Sequence, residues 1–128
     1  MRHHGIVAAG IALALAGQSA QASEQVRLTG RSAADDELQT DIVRTITLYG
    51  SAFHCPAPSV IAADLLNAAS VPARLRPDSP EASFEEWDAT FCGKKQRFFV
   101  SFWPDPKGGS FLSVQYPYPA DAPRAAVR

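Results

Sequence analysis

Two groups of residues in this chain have the types and spacing for chemistry. The first is His54-Cys55, with Cys92 the second of two cysteines among 128 residues. A thiol beside an imidazole suggests a nucleophile and its base. Adjacent residues of an extended chain point to opposite faces, however, and a catalytic histidine normally approaches from elsewhere in the fold. A zinc centre needs spaced ligand pairs; His54 and Cys55 are adjacent, and no fourth ligand stands out. The simplest reading is one disulfide, Cys55–Cys92, formed in an oxidising compartment. It would close a loop of about 38 residues, worth about 4 kcal/mol on the chain-entropy model.

The second group is Glu85, Glu86 and Asp88. Paired carboxylates are the equipment of a glycoside hydrolase. Here they stand across from Lys95 and Arg97, so cross-strand charge pairing accounts for them more simply. No phosphate loop, catalytic triad spacing or calcium loop occurs, and Gly108-Gly109 reads as a turn. The sequence therefore predicts no cofactor, no metal and no catalytic residue. The alternative is a small periplasmic hydrolase using Glu85, Glu86 or His54.

Charge narrows the partners. Lys and Arg number 12 against 13 Asp and Glu, a formal net charge of −1. Nucleic-acid binding needs a basic patch, and none stands out. A basic amphipathic helix for a membrane surface is missing too.

The reason to expect an oxidising compartment lies at the N-terminus. Arg2 precedes the uncharged run Ile6–Ala16, and Ala20-Gln21-Ala22 has the small-x-small form of a cleavage site. The layout predicts a cleavable signal peptide over 1–22. The run is too short to span a bilayer, which takes roughly 20 apolar residues. After cleavage no membrane anchor is expected, and the product would be periplasmic or secreted.

The elements that position the cysteines and carboxylates follow from periodicity. Ser23–Arg31 is a polar lead that suits a short strand or a frayed end. Ser32 resembles a helix cap, with Asp35, Asp36 and Glu37 in the first turn. Leu38, Ile42, Val43, Ile46, Tyr49 and Phe53 then recur at steps of mostly three and four, so an amphipathic helix is predicted from about Ala33 to Tyr49. Cys55-Pro56-Ala57-Pro58 breaks regular structure. Ser59–Leu66 fits a strand or a short helix, with the strand preferred, and Asn67–Pro80 reads as a loop.

Three alternating runs follow. Ser83–Cys92, Gln96–Trp103 and Ser110–Tyr116 predict an antiparallel meander, with hairpin turns at Gly93-Lys94 and at Pro104–Gly109. In that register Ala89 pairs with Phe98, Trp87 with Val100 and Phe102 with Leu112. One face collects Trp87, Ala89, Phe91, Phe98, Val100, Phe102, Leu112, Val114 and Tyr116, a floor for the helix. The opposite face carries Phe99, Trp103, Phe111 and Arg97. These four are the candidate binding patch, unless the Ser59–Leu66 segment or the long loop covers the aromatics. Beyond Tyr116 the Pro/Ala-rich stretch 117–128 predicts a disordered tail.

A Trp, then Cys92-Gly93, aromatic alternation, Pro104-Asp105-Pro106-Lys107-Gly108-Gly109 and the closing run Phe111–Val114, together with Tyr49-Gly50-Ser51 and Cys55-Pro56, resembles small exported proteobacterial proteins of unassigned function. The resemblance covers about half of the mature chain and implies a small periplasmic or secreted domain, with no catalytic residue carried over.

The reading as a whole is a single α+β domain over 23–116: one amphipathic helix packed on a three- to four-stranded antiparallel meander, with one disulfide. Its expected role is a non-enzymatic binding or interaction module for an envelope or extracellular protein.

Overall fold

The computed structural model describes residues 26–126. The leader expected over 1–22 lies outside the described residues.

Arg27–Gly30 forms strand β1, Asp36–Thr47 helix α1, Val60–Leu65 β2, Ser83–Phe91 β3, Lys94–Pro104 β4 and Ser110–Gln115 β5. The strands make one sheet in the order β1-β2-β3-β4-β5. Among the described residues the α+β class with one α-helix and one disulfide is as expected. The sheet corrects the expectation twice: it has five strands, and it is mixed, because β1 runs parallel to β2. A parallel pair needs a crossover connection, and α1 supplies it on one face of the sheet. The four residues of β1 carry no apolar alternation, so the polar lead gave little sign of pairing.

Helix α1 is shorter than predicted. Its cap is Asp35, whose carboxylate accepts from the Leu38 N–H at 2.8 Å. Ser32, the expected cap, is turned towards β3 instead. The helix tightens into a 3-10 segment, Leu48–Phe53. That change keeps Tyr49 and Phe53 on the sheet side. Gly50 is obligatory there, since a Cβ would lie 2.3 Å from the Cys55 carbonyl oxygen, a carbonyl held close by the Cys55 N–H bond to Gly50 O at 2.9 Å.

The predicted floor is present in full. Trp87, Ala89, Phe91, Phe98, Val100 and Phe102 are buried under Ile42 and Ile46, with Leu112, Val114 and Tyr116 packed at the margin. Tyr49, Phe53, Phe91, Phe98 and Tyr116 form a chain of ring contacts with centroids 4.9–6.4 Å apart. Such edge and offset contacts add to the area they bury.

The first hairpin differs from prediction by two residues. Trp87 pairs with Phe98 and Ala89 with Gln96, because the turn is Cys92-Gly93 and not Gly93-Lys94. Both central residues have positive φ, 48° and 85°, the requirement of a type I′ turn whose twist matches the flanking strands. A slip of two leaves every side chain on its predicted face; a slip of one would have inverted them. The second hairpin pairs Phe102 with Leu112 and Val100 with Val114 as predicted.

Cys55 and Cys92 are bonded, with Cα atoms 5.9 Å apart. The bond ties the exit of the 3-10 segment to the β3–β4 turn.

A second apolar cluster lies on the opposite face. Phe84 and Phe99 are covered by Val71 and Leu75 from the long loop and by Ala122 and Tyr118. The loop 67–80 contains two short 3-10 turns, Ala68–Ser70 and Ala73–Leu75. Tyr118 and Ala122 come from the stretch predicted to be a disordered tail. Residues 117–126 instead fold back as a strap from β5 across β4 to β3. Its anchors are single side chains, so no periodicity announced them.

Candidate functional site

β3 is the central strand, so both its faces are covered and neighbouring side chains enter different environments. Glu85 and Glu86 show this most clearly.

Glu85 points to the helix face and is 0% exposed. Its Oε1 accepts from the Ser32 hydroxyl at 2.7 Å and the Trp87 indole N–H at 2.8 Å; its Oε2 accepts from the Ala33 N–H at 2.6 Å. Ser32 also accepts from the Ala34 N–H at 3.0 Å. Every partner of the carboxylate is a neutral donor, and two belong to the corner between β1 and α1. The side chain is an internal bracket that fixes where the helix begins.

Glu86 points the other way and is 5% exposed. The Arg124 guanidinium donates to both of its oxygens, at 2.9 and 3.1 Å, and the Ala125 N–H donates to Oε1 at 3.0 Å. The Arg97 Nε–H lies 3.1 Å from Glu86 Oε2 and 3.1 Å from Asp88 Oδ1. Burial works to raise the Glu86 pKa, but the hydrogen bonds from Arg124 and Ala125 and the charge of Arg97 outweigh it, leaving the carboxyl below its ordinary value. For Asp88 burial prevails, reinforced by repulsion from Glu86, and its pKa is raised despite Arg97. Burial also raises the Tyr118 phenol, with Glu86 adding to it. That hydroxyl donates to the Pro123 carbonyl.

The candidate patch divides into three environments. Phe99 is 0% exposed, stacked on Phe84 and met edge-on by Tyr118 at 5.8 Å. Arg97 is committed to Glu86 and Asp88. Trp103 and Phe111 remain as a surface pair, opposite one another across β4 and β5 with ring centroids 5.8 Å apart. Phe111 is 46% exposed. The expectation of one contiguous patch is therefore corrected: the loop and the strap bury its inner half, and Trp103 and Phe111 remain at the sheet margin.

Among the described residues no strand pairs with the outer side of β5, which ends the sheet. Pro104 has no N–H, and the Asp105 N–H closes the turn on Gly109 O at 3.0 Å. Antiparallel pairs alternate between hydrogen-bonded and non-bonded, so the ladder bonds fall at Trp103–Phe111, Ser101–Ser113 and Phe99–Gln115. The backbone N–H and C=O groups of Leu112 and Val114 then face away from β4. β5, Ser-Phe-Leu-Ser-Val-Gln, contains no charge and no proline, the usual devices that discourage pairing at an edge.

The residues of the hydrolase alternative are not brought together. His54 is exposed at the end of the 3-10 segment, with φ 54°, next to the disulfide. Glu85 lies seven residues from Cys92, which at roughly 3.3 Å per residue puts about 23 Å of strand between the two ends. Glu85 and Glu86 face opposite sides. The groove between β1 and α1 is lined by Val26, Leu28, Asp36, Gln39, Thr40 and Val43, and none of these three residues reaches it. Among the described residues no group of three or more His, Cys, Asp or Glu side chains converges as a metal site.

Phe84, Tyr118, Ala122 and Arg124 were missed by sequence reasoning. Phe84 shares the alternation of β3 and was legible. The others stand in a Pro/Ala-rich run, where the one signal was an aromatic and an arginine among residues too small to form a core.

No family model, no curated protein and no solved structure matches this chain.

Proposed function

We propose that this chain is a small exported interaction module that takes an envelope or extracellular protein partner at the β5 edge. The observation that carries this reading is the exposed Phe111 of an uncharged strand, beside Trp103, with outward backbone groups that no strand among the described residues pairs. Strand addition at such an edge combines main-chain hydrogen bonds for affinity with side-chain contacts for selectivity. The disulfide is compatible with an oxidising compartment, and no helix among the described residues is long and apolar enough to cross a membrane.

The test compares wild type with Phe111→Lys and Trp103→Ala as bait in envelope extract, followed by titration of the recovered protein against all three. A lysine on the edge should abolish capture, and removal of the indole should weaken the titrated affinity about tenfold. Identical partner sets and affinities for the three proteins would sink the reading.

A further inference from the structure

The strap contacts the second face in the manner of a bound peptide. It joins no strand ladder: the one backbone hydrogen bond within it among the described residues runs from the Ala122 N–H to Pro119 O, at 3.1 Å. Its attachment is through side chains at fixed spacing. The Tyr118 ring meets Phe99 edge-on. Four residues later the small side chain of Ala122 is buried in the cluster of Val71, Leu75 and Phe84. Two residues further, Arg124 forms a two-pronged pair with Glu86, and the Ala125 N–H adds a third bond. Outside the groove Asp121 pairs with Arg74.

The groove without its strap is electrostatically incomplete. Glu86 and Asp88 are two carboxylates that share the Arg97 guanidinium, with Lys95 acting on Asp88 from further off. Glu86 Oε1 takes its hydrogen bonds from Arg124 and Ala125, both in the strap. An occupant that covers this oxygen must supply donors in place of water, so the groove suits one that brings a guanidinium and a backbone N–H to that point. The helix-face core, the disulfide and the sheet ladders do not involve the strap; its departure would uncover Phe84 and Phe99 of the second-face cluster.

We propose that the groove formed by Phe84, Phe99, Val71, Leu75 and Glu86 is a peptide-binding site, and that residues 118–125 are its displaceable internal ligand. The external ligand it fits is an extended protein segment with an aromatic residue, a small apolar residue four positions on and an arginine two beyond that. The tethered strap competes at a high effective concentration, so the intact chain binds such a segment weakly and a loosened strap exposes the site. This site is separate from the β5 edge and stands or falls independently of it.

The probe is a fluorescein-labelled synthetic peptide of residues 117–126, titrated by anisotropy against the full chain. The double variant Tyr118→Ala/Arg124→Ala should bind it at least tenfold more tightly than wild type. Adding Glu86→Gln, or replacing the peptide's arginine by alanine, should return binding to the wild-type level. Equal binding by wild type and double variant, or binding indifferent to the peptide's arginine, overturns the proposal. Arg124→Ala alone is the milder variant if the double one loses its near-ultraviolet circular dichroism, and failure of a folded Arg124→Ala protein to gain affinity overturns it equally. A wild-type dimer in light scattering that Arg124→Ala abolishes would also overturn it, assigning the groove to the tail of a second copy.

Discussion

Glu85 and Glu86 are neighbours on one strand, and each holds a distant piece of chain against the sheet. Glu85 secures the corner before α1 with neutral donors in a dry core. Glu86 secures the C-terminal strap through the Arg124 guanidinium and the Ala125 N–H, with Arg97 of β4 beside it, at a face that water still reaches. The difference lies in what removal leaves behind. Losing Glu85 strands three donors where water cannot replace it. Loss of a partner of Glu86 exposes a local groove, and solvent recovers part of the cost.

The sharpest break in that comparison should come from Glu85→Ala, which strands the Trp87 indole N–H, the Ala33 N–H and the Ser32 hydroxyl. An expected loss of about 3–5 kcal/mol follows from the cost of unsatisfied buried donors, read as a fall in the urea midpoint. Glu85→Gln keeps the shape but turns an NH2 towards donors and should cost about 2 kcal/mol. If Glu85→Gln proves as mild as Glu86→Gln, the contrast between the two faces is wrong.

The disulfide comes next. Cys92→Ala should lower stability by about 2–4 kcal/mol, and reduction of the wild type should match it in thermal melts. A larger loss in Cys92→Ala than on reduction would mean that the Cys92 side chain contributes packing beyond the bond.

Arg124→Ala should cost less, about 1 kcal/mol, because the guanidinium is half-exposed and solvent screens its pair with Glu86. Its clearer signature is in pH. The Glu86 pKa is lowered on folding from an ordinary value of 4.5, so the carboxylate contributes stability that is fully present above that value. The contribution is lost as pH falls below 4.5 and through the lowered folded value. Asp88 has the opposite sign: its raised pKa penalises the folded state at higher pH, and protonation relieves it. Removing Arg124 takes away the strongest hydrogen-bonding support of Glu86, so acid unfolding should begin at higher pH in Arg124→Ala than in wild type. Coincident acid transitions would mean that the strap does not depend on that pair. The smallest effect should belong to Phe111→Ser at the exposed edge, within about 0.5 kcal/mol of wild type. A larger loss would move Phe111 from recognition surface to structural support.

The two faces also differ in how far they could be read in advance. Alternation in β3, β4 and β5 identified the helix floor to the residue, and it survived a two-residue error in register because side-chain period is two. The helix stripe from Leu38 to Phe53 was legible for the same reason, although its last turn tightened to 3-10. The second face was only half legible. Phe99 belongs to the strand pattern, but its cover comes from Val71, Leu75, Tyr118 and Ala122, which lie in segments without period. Glu85 looked like one of three acidic residues facing basic partners; only a central position for β3 makes it a buried acceptor.

The pairing Cys55–Cys92 was the simplest reading of the two cysteines in the sequence, and the structure shows the bond. The α+β class and the helix-facing floor followed from local periodicity, which the backbone imposes wherever a helix or strand forms. Only the tertiary structure decided the fifth strand, the turn at Cys92-Gly93, the opposite roles of Glu85 and Glu86 and the burial of half the aromatic patch. Each depends on segments far apart in the chain meeting at one place, and local spacing carries no record of such meetings.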